Sequence, residues 1–233
     1  MDSGPTPARR RVLLELATLV CARELDHPTR VAVDGITASG KSTLAGELAA
    51  AVSGLGRPAV HLTMDDFHNP RALRYRRGRM SAVGYYEDAY DFEALVRVVL
   101  RPLGPNGSRR YRRRVLDLGT DRAVADDPVT ADPDAVVVVD GTFLQRPEVV
   151  DHWDVRLFVD TGAAVALARG VARDAALLGG RAEAEAAYTQ RYHAASTIYL
   201  QTVRPAAQAT VVVGNDDPAH PTIRFPHRPG GAG

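Results

Sequence analysis

One stretch of nine residues gives the clearest structural signal in this chain of 233 residues: Gly35-Ile36-Thr37-Ala38-Ser39-Gly40-Lys41-Ser42-Thr43. It fits the pattern G-x-x-x-x-G-K-[ST], in which exposed backbone N–H groups bind the α- and β-phosphates of a nucleotide. In this pattern Lys41 reaches the β- and γ-phosphate oxygens, and the hydroxyl of Ser42 ligates Mg²⁺. Of the 29 lysines and arginines in the chain only Lys41 is a lysine, a slim point charge that the planar arginine fork does not imitate. The stretch therefore predicts a nucleotide-binding P-loop.

The segments on either side of this loop support the same interpretation. Residues 31–33 form a short valine-rich run that is typical of a buried strand. Residues 43–52 follow the loop with Leu44, Leu48 and Val52 at helical spacing, which predicts a helix with one apolar face. A chance match in a turn rich in glycine and serine would not require this order of strand, loop and helix. The context therefore favours nucleotide binding.

The composition excludes several other classes of protein. Hydrophobic residues make up 45% of the chain and charged residues 24%, as in ordinary globular proteins. A net charge of +1 argues against nucleic acid as the main partner. The single cysteine, Cys21, excludes an internal disulfide, and no apolar run approaches the length of a membrane span. We therefore predict a cytoplasmic protein without a nucleic-acid or membrane partner, and we predict no particular oligomeric state.

Strand-like and helix-like segments alternate along most of the chain. Further strands are predicted at residues 59–64, 135–140, 153–160 and 210–213, and helices at 9–25, 91–101, 163–178 and 181–203. Residues 69–90 look irregular, and turn residues between 102 and 122 indicate a hairpin. This alternation predicts a three-layer α/β P-loop NTPase fold with a mostly parallel central sheet. Residues 1–214 would form a single domain with a lead-in helix at 9–25, and residues 215–233 a flexible tail.

Acidic residues follow two of the predicted strands, at the ends where open α/β sheets bind ligands. Asp65 and Asp66 come after the strand at 59–64, and Asp140 ends the apolar run at 135–140. Near a P-loop, a carboxylate can accept a proton from an attacking hydroxyl or hold Mg²⁺. For Asp140 we favour the metal role over a capping role. Local sequence leaves open whether Asp65 and Asp66 are functional or form an exposed turn.

Several motifs together resemble the uridine kinase/phosphoribulokinase group, which includes nicotinamide riboside kinases and bacterial pantothenate kinases. The P-loop at 35–43 is followed, in the order and approximate spacing of that group, by MDDFH at 64–68, YYEDAYD at 85–91 and VDGTF at 139–143. Residues 167–174 resemble its lid segment, and the resemblance spans about residues 30–213. It implies ATP and Mg²⁺ as cofactors and a helical lid at about residues 169–185.

The resemblance also implies roles for particular residues. Asp65 matches the general base, and Asp140 matches an acidic position that serves Mg²⁺. Lys41 would neutralise phosphate charge, and Arg169 and Arg173 would be lid arginines that close over the phosphates and exclude water. A solvated helix face is the alternative interpretation of Arg169 and Arg173, which are separated by one helical turn.

The acceptor side matches the family less closely. Tyr85 stands where uridine kinases carry an acid that holds the ribose hydroxyls, and Tyr111 is similar to a tyrosine of their base pocket, although the histidine that follows it there is absent. We take Asp65, Tyr85, Tyr111 and Arg169 as candidate substrate-binding residues. Two arginine clusters could bind an anionic acceptor or could be solvated surface charge: Arg71, Arg74, Arg76, Arg77 and Arg79, and Arg109, Arg110, Arg112, Arg113 and Arg114.

The resemblance implies an ATP-dependent kinase that transfers the γ-phosphoryl group to a hydroxyl of a small metabolite. A nucleoside, uridine or cytidine first, is the leading acceptor. Nicotinamide riboside, pantothenate, glycerate or a sugar phosphate is the alternative. A regulatory P-loop ATPase without a small-molecule acceptor is a rival from another class, and an arginine-dependent nucleic-acid binder is a weaker one. A GTPase with an Asn-Lys-x-Asp motif is excluded, because no second lysine exists.

Overall fold

The computed structural model describes residues 4–226, and a six-stranded sheet forms its centre. The strands in this part of the chain are β1 (Thr29–Gly35), β2 (Ala59–Thr63), β3 (Arg110–Tyr111), β4 (Leu116–Asp117), β5 (Arg122–Ala123), β6 (Val129–Thr130), β7 (Val136–Gly141), β8 (Val155–Asp160), β9 (Val211–Gly214) and β10 (Thr222–Arg224). The helices are α1 (Pro7–Cys21), α2 (Lys41–Gly54), α3 (Arg71–Arg74), α4 (Ala82–Asp88), α5 (Phe92–Leu95), α6 (Ala163–Leu178), α7 (Arg181–Ala187), α8 (Ala194–Thr202) and α9 (Pro205–Gln208). A π-helical turn, Val96–Leu100, extends α5, and another, Tyr188–His193, joins α7 to α8. None of the helices in the described part combines the length and the apolar character that crossing a membrane requires.

The central sheet is mostly parallel, in the strand order β10-β9-β8-β1-β7-β2. Strand β1 lies between β7 and β8 and runs parallel to both, so that Val33 pairs with Asp140 on one side and Leu157 on the other. Only β10 runs antiparallel to its neighbour in this sheet. The predicted fold class is therefore confirmed. Because parallel strands end at the same edge, the P-loop after β1 lies close to the ends of β2 and β7.

The central strands carry apolar side chains on both faces, which explains the three layers. Val31, Val33 and Val138 belong to a core formed with α1 and α2. The alternate positions Ala32 and Val139 belong to a second core, formed with α4, α5 and α8. Successive side chains of a strand point to opposite faces, so an uninterrupted apolar run needs a helical layer on each side. The valine-rich runs therefore specify buried parallel strands.

The helix boundaries follow local capping chemistry. Helix α1 begins at Pro7 and ends at Cys21, earlier at both ends than the predicted 9–25. Thr6 caps it by accepting a hydrogen bond from the Arg9 amide at 3.2 Å, and Pro7 fits the first helical position, where no intrahelical N–H bond is needed. The helix predicted at 163–178 is confirmed at both bounds. Asp91 caps α5 by accepting a hydrogen bond from the Ala94 amide at 2.7 Å.

Two segments between β2 and β7 differ from their predicted form. Residues 69–90, predicted to be irregular, contain α3 and α4, and Ser81 caps α4 by accepting from the Gly84 amide at 3.0 Å. The predicted hairpin at 102–122 is only partly correct. Strand β4 does pair with the next strand, β5, but β3 pairs antiparallel with the more distant β6. Short polar strands of this kind have little periodicity, so their partners cannot be inferred from local sequence.

The segment after β9 is ordered, which corrects the predicted flexible tail for residues 215–226. Strand β10 pairs with β9, and the buried side chain of Asn215 donates a hydrogen bond to the Ser39 carbonyl at 2.7 Å. The carboxylate of Asp216 accepts from the Gly162 amide at 2.7 Å. These long-range bonds join the segment to the P-loop and to the start of α6. The remaining tail residues, 227–233, lie outside the described part of the chain.

Candidate active site

The P-loop is a compact turn whose backbone conformation depends on two positions. Ala38 and Gly40 have φ angles of 65° and 90°, in the left-handed region, and the Ser39 amide between them donates to the Ile36 carbonyl at 3.1 Å. A Cβ atom on Gly40 would lie 2.5 Å from Nδ2 of Asn215, so only glycine fits this position. Left-handed residues within a tight turn create the concave array of amides that binds anions.

Lys41 lies at the start of α2 with its ammonium group turned back across the loop. Its Nζ donates to the Ile36 carbonyl at 3.2 Å. Burial lowers the pKa of Lys41, and this effect exceeds the opposing attraction of the nearby carboxylates of Asp140, Asp65 and Asp34. The lysine is therefore a desolvated cation surrounded by acids. Its charge acts more strongly there than it would in water.

Ser42 and Asp140 face each other across the ends of α2 and β7. The Ser42 hydroxyl donates to Oδ2 of Asp140, and Nε2 of His61, on β2, lies 2.8 Å from Oδ1 of the same carboxylate. A hydroxyl and a carboxylate oxygen beside a phosphate-binding loop are the donors that Mg²⁺ prefers, with the remaining positions taken by water and phosphate. Asp140 and Ser42 thus fit the predicted metal role, and His61 orients the carboxylate.

A pocket of about 570 Å³, which we call the C-terminal pocket, opens between the P-loop and the segment after β9. Its walls include Thr43, Glu47, Asn215 and Arg169. The guanidinium of Arg169 donates to the carbonyls of Asn215 at 3.0 Å and Asp216 at 2.7 Å. The structure therefore places Arg169 on this pocket rather than with the candidate acceptor residues. The reason is that the carbonyls that follow β9 lie directly beside α6.

A second cavity, of about 380 Å³, meets the P-loop at Thr37. Arginine and tyrosine side chains dominate its walls, and we call it the arginine cavity. Its lining residues are Thr37, Asp65, His68, Arg71, Arg74, Tyr75, Tyr85, Tyr90, Leu118, Arg173, Asp174, Tyr188, Arg191 and Tyr192. Three residues predicted outside the P-loop, Asp65, Tyr85 and Arg173, therefore share one cavity with the predicted P-loop residue Thr37.

Of the two acids that line this cavity, Asp174 is paired with Arg173, and the other is Asp65. It lies in the 3-10 turn Met64–Phe67 directly after β2, and its side chain accepts a hydrogen bond from the Tyr90 hydroxyl at 3.3 Å. Tyr90 is in turn 3.1 Å from the Tyr85 hydroxyl. Burial raises the pKa of Tyr85 to about 12, so both phenols stay neutral and orient the carboxylate by hydrogen bonding. Asp65 thus has the position and the orientation that a general base requires.

Arg173 reaches the same cavity from α6 and is held by its neighbours. Its guanidinium donates to both oxygens of Asp174, at 2.8 and 3.0 Å, and to the Tyr188 hydroxyl at 3.1 Å. The hydrogen bonds to Asp174 raise the pKa of Arg173 above its ordinary value. Arg173 is therefore a cation held in place on α6, the helix that follows β8. Its charge acts on Lys41, so it lies near the P-loop end of the site.

The tight packing of Tyr188 against α6 leads to a stability prediction. A Cβ atom on Gly170 would lie 2.2 Å from the ring of Tyr188, so Gly170→Ala should destabilise the protein by about 1–3 kcal/mol through overpacking. Gly46→Ala is the matched helical control, because the nearest atom to its Cβ would be 3.7 Å away, and it should stabilise by about 0.5–1 kcal/mol. Urea unfolding of the two variants tests this. Equal effects would show that the Tyr188 contact is not tight.

The sequence model of the phosphoribulokinase/uridine kinase family matches residues 31–219. The chain belongs to this family. A comparison with curated protein sequences gives no match. The family is one of kinases that transfer a phosphoryl group to a hydroxyl, which agrees with the P-loop and with the acid after β2. The predicted resemblance is therefore confirmed.

Solved structures of related kinases share the fold. A candidate uridine kinase from Bacillus stearothermophilus is 24% identical, with a TM-score of 0.67 over 87% of this chain and 98% of its own. A candidate fructose transport system kinase from Silicibacter sp. TM1040 is 28% identical, with a TM-score of 0.66 over 82% and 94%. D-glycerate 3-kinase from Cryptococcus neoformans is 11% identical, with a TM-score of 0.59 over 89% and 95%. The acceptors named for these proteins differ, so the fold does not select one.

Tyr111, the remaining residue predicted to bind the acceptor substrate, lies outside the arginine cavity. Its ring is buried in the apolar core under β3, and it is absent from the walls of the arginine cavity. The five arginines at 109–114 are also absent from the walls of this cavity; Arg114 pairs with Asp126 at 2.9 Å, and Arg109 donates to the Ala131 carbonyl. The cluster at 109–114 is thus not part of this site. A two-residue strand gives no local signal of which side faces a ligand.

The cluster at 71–79 is divided by packing. Arg71 and Arg74 line the arginine cavity, whereas Arg76 and Arg77 bind the buried carboxylate of Asp88, Arg77 through Nε at 2.9 Å. Asp88 is held ionised by these two contacts, which lower its pKa although burial opposes them. Only part of the cluster is therefore available to a ligand.

Sequence reasoning missed several contributors to the site, including Tyr90, which holds the Asp65 carboxylate. His61 contacts Asp140, Asn215 contacts the P-loop, and Arg191 lines the arginine cavity. Arg191 follows Tyr188 by three residues on the predicted helix after Gly180, so its helical face could have indicated it. His61 and Asn215 had no local signal, because their contacts connect distant strands.

Proposed function

We propose that this protein is an ATP-dependent kinase whose acceptor binds in the arginine cavity with a hydroxyl beside Asp65. The observation that carries the proposal is that Asp65 and the P-loop residue Thr37 line one cavity. A base and a phosphate-binding loop must approach the same reacting atoms in a phosphoryl transfer. Membership of a kinase family supports the reaction class, and the geometry supports the assignment of the residues.

The mechanism follows from these positions. Asp65 accepts the proton of the acceptor hydroxyl while the hydroxyl oxygen bonds to the γ-phosphorus. The bond from that phosphorus to the β–γ bridging oxygen then breaks, which releases ADP. Lys41 and Arg173 stabilise the negative charge that develops on the phosphate oxygens. Tyr90 holds the Asp65 carboxylate in place before the reaction. Positioning and charge, rather than covalent chemistry by the protein, supply most of the rate.

The residues present also fit the two cofactors. The amides of residues 35–43 would hold the phosphates of ATP, and the C-terminal pocket beside them has room for the rest of the nucleotide. Ser42 and Asp140 would hold Mg²⁺, which when bound neutralises the β- and γ-phosphate charge. His61 restricts the Asp140 carboxylate to one orientation through its hydrogen bond.

A screen for ADP release tests the reaction class. The purified protein, ATP and Mg²⁺ would be combined with uridine, cytidine, nicotinamide riboside, pantothenate, glycerate and ribulose 5-phosphate, with a reaction lacking any acceptor as control. The kinase proposal expects acceptor-dependent ADP release and a phosphorylated product detectable by mass spectrometry. ATP hydrolysis of the same rate in every reaction would instead support a regulatory ATPase.

The identity of the acceptor is the finer part of the proposal. The nucleoside hypothesis relies on the family motifs alone. Of the two tyrosines predicted to bind the acceptor, Tyr85 lines the cavity and Tyr111 does not. Tyr85 supplies a neutral hydroxyl where an acid would hold ribose hydroxyls. The charged walls of the cavity favour the other class of acceptor, one that carries a negative charge.

A further inference from the structure

Arg191 is a buried cation on the wall of the arginine cavity. It lies in the π-helical turn between α7 and α8, and only 6% of its surface is exposed. Three aromatic rings surround its guanidinium, those of Tyr75 at 4.8 Å, Tyr85 at 5.1 Å and Tyr192 at 5.5 Å. These rings fix the guanidinium plane and remove water from it.

The hydrogen-bonding capacity of this guanidinium is incompletely used. One terminal nitrogen, Nη1, donates to the Arg79 carbonyl at 2.5 Å. The Nε–H group is buried and has no hydrogen-bond partner among the described residues. A buried unpaired donor on a charged group is costly, and it commonly marks a position that a ligand or water completes.

Two other arginines of the cavity have carboxylate partners, and a third, Arg71, is exposed to solvent, which separates all three from the buried Arg191. Arg173 is paired with Asp174 at 2.8 Å, and Arg74 with Asp121 at 2.9 Å. Within residues 4–226, Arg191 has no carboxylate at ion-pair distance. Its positive charge therefore remains uncompensated where water is largely excluded.

The potential around Tyr75 supports the same conclusion. Burial alone would raise the pKa of this phenol, yet the neighbouring cations Arg74 and Arg191 lower it overall. His68, also on the cavity wall, has a pKa that burial lowers, so it adds no charge at neutral pH. The end of the cavity around Tyr75 is therefore positive, whereas Asp65 marks the P-loop end.

We propose that Arg191 binds a carboxylate or phosphate group of the acceptor while a hydroxyl of the same molecule reaches Asp65. This deepens the proposed kinase function and rests on it for the role of Asp65. An anionic group in the cavity would neutralise the buried guanidinium of Arg191, which lines the wall, through charge-assisted hydrogen bonds. An uncharged nucleoside could accept a hydrogen bond from the guanidinium, but it would bring no negative charge to neutralise it. The acceptor class is therefore a small hydroxylated carboxylate or phosphate ester.

Binding, measured separately from turnover, tests this proposal. The P-loop of the protein is first saturated with ADP and Mg²⁺, so that phosphate esters cannot bind there. Isothermal titration then compares matched pairs that differ in charge, glycerate with glycerol and ribulose 5-phosphate with ribulose, together with pantothenate and uridine. We expect at least one anion of the panel to bind and its uncharged counterpart to bind far more weakly. Binding of no anion, or tighter binding of uridine than of every anion, would overturn the proposal.

Variants assign the effect to Arg191. Arg191→Gln should lower the affinity for the anion by roughly 10- to 100-fold, which corresponds to one charge-assisted hydrogen bond, and should leave the affinity for ADP unchanged. Arg191→Lys should recover part of the affinity, which a purely structural role would not predict. Arg113→Gln removes an exposed arginine and should change nothing. Equal losses of anion affinity in Arg191→Gln and Arg113→Gln would contradict the assignment to Arg191. If Arg191→Gln does not fold, the comparison of charged and uncharged ligands in the unaltered protein still tests the proposal.

The two proposals fail in different ways. If anions bind at Arg191 but no acceptor of the earlier screen is phosphorylated, the kinase assignment of Asp65 is in error and the anion site stands. If uridine is phosphorylated while no anion binds the ADP-loaded protein, the kinase function stands and the anion site is wrong.

Discussion

Replacing Asp65 with asparagine should lower kcat by about 10²- to 10⁴-fold, the usual contribution of a general base, while ATP binding stays largely intact. The amide keeps the shape of the carboxylate and can still accept a hydrogen bond from Tyr90, but it cannot take the proton of the acceptor hydroxyl. Steady-state kinetics with the best acceptor of the screen, together with titration of ATP in the absence of acceptor, separates the two effects.

The neighbouring acid provides a matched control for that experiment. Asp66 is next in the same 3-10 turn, but it is not among the residues that line the arginine cavity. Burial and the nearby charge of Asp65 raise the pKa of Asp66, so the asparagine variant should be tolerated. Asp66→Asn should keep kcat near that of the unaltered protein. Full activity of Asp65→Asn, or equal losses in both variants, would show that Asp65 is not the base.

Replacing Lys41 with methionine should reduce kcat by about 10²- to 10³-fold, as expected for the loss of a charge that stabilises the transition state. Methionine retains most of the apolar stem, so the fold of the loop should persist, and a thermal unfolding curve checks this. Lys41→Arg should not restore activity, because the larger planar guanidinium cannot occupy the space of a turned-back ammonium group. Recovery of activity with arginine would show that the position needs only a positive charge.

Chemical labelling gives an independent measurement at the same position. Lys41 is the only lysine of the chain, so an acylating reagent has one side-chain amine to modify. Because burial lowers the pKa of Lys41, its neutral, reactive form is present at lower pH than in free lysine. Labelling followed by peptide mass spectrometry should show modification in the free protein and protection by ATP with Mg²⁺. Unchanged labelling in the presence of the nucleotide would argue against phosphate contact by Lys41.

The local sequence was sufficient for the parts of the site that depend on backbone conformation or strand direction. The left-handed φ of Gly40 and the helix that begins at Lys41 are properties of a short motif, which explains why residues 35–43 could be assigned from their pattern. Asp65 and Asp140 could be placed because the ends of parallel strands meet at one edge. Their proximity follows from the fold class alone.

Contacts between distant segments were beyond local patterns. Arg169 and Arg173 lie one turn apart on α6, yet one binds carbonyls of the segment after β9 and the other pairs with Asp174 on the arginine cavity. Residues 215–226 looked like a tail because their order comes from pairing with β9 and from Asn215 at the P-loop. Such partners are separated by many residues and leave no periodic trace in the sequence.

By itself the sequence determined the strand–loop–helix core, the parallel sheet and the acids at its edge, since these depend on local backbone preferences and on apolar runs. Only the tertiary structure decided which arginines lack a carboxylate partner among the described residues. In a chain whose basic residues are almost all arginine, residue type cannot distinguish a neutralised guanidinium from an uncompensated one. Arg77 is neutralised by Asp88 and Arg191 is not, because charge compensation is set by which carboxylate the folded chain brings within reach.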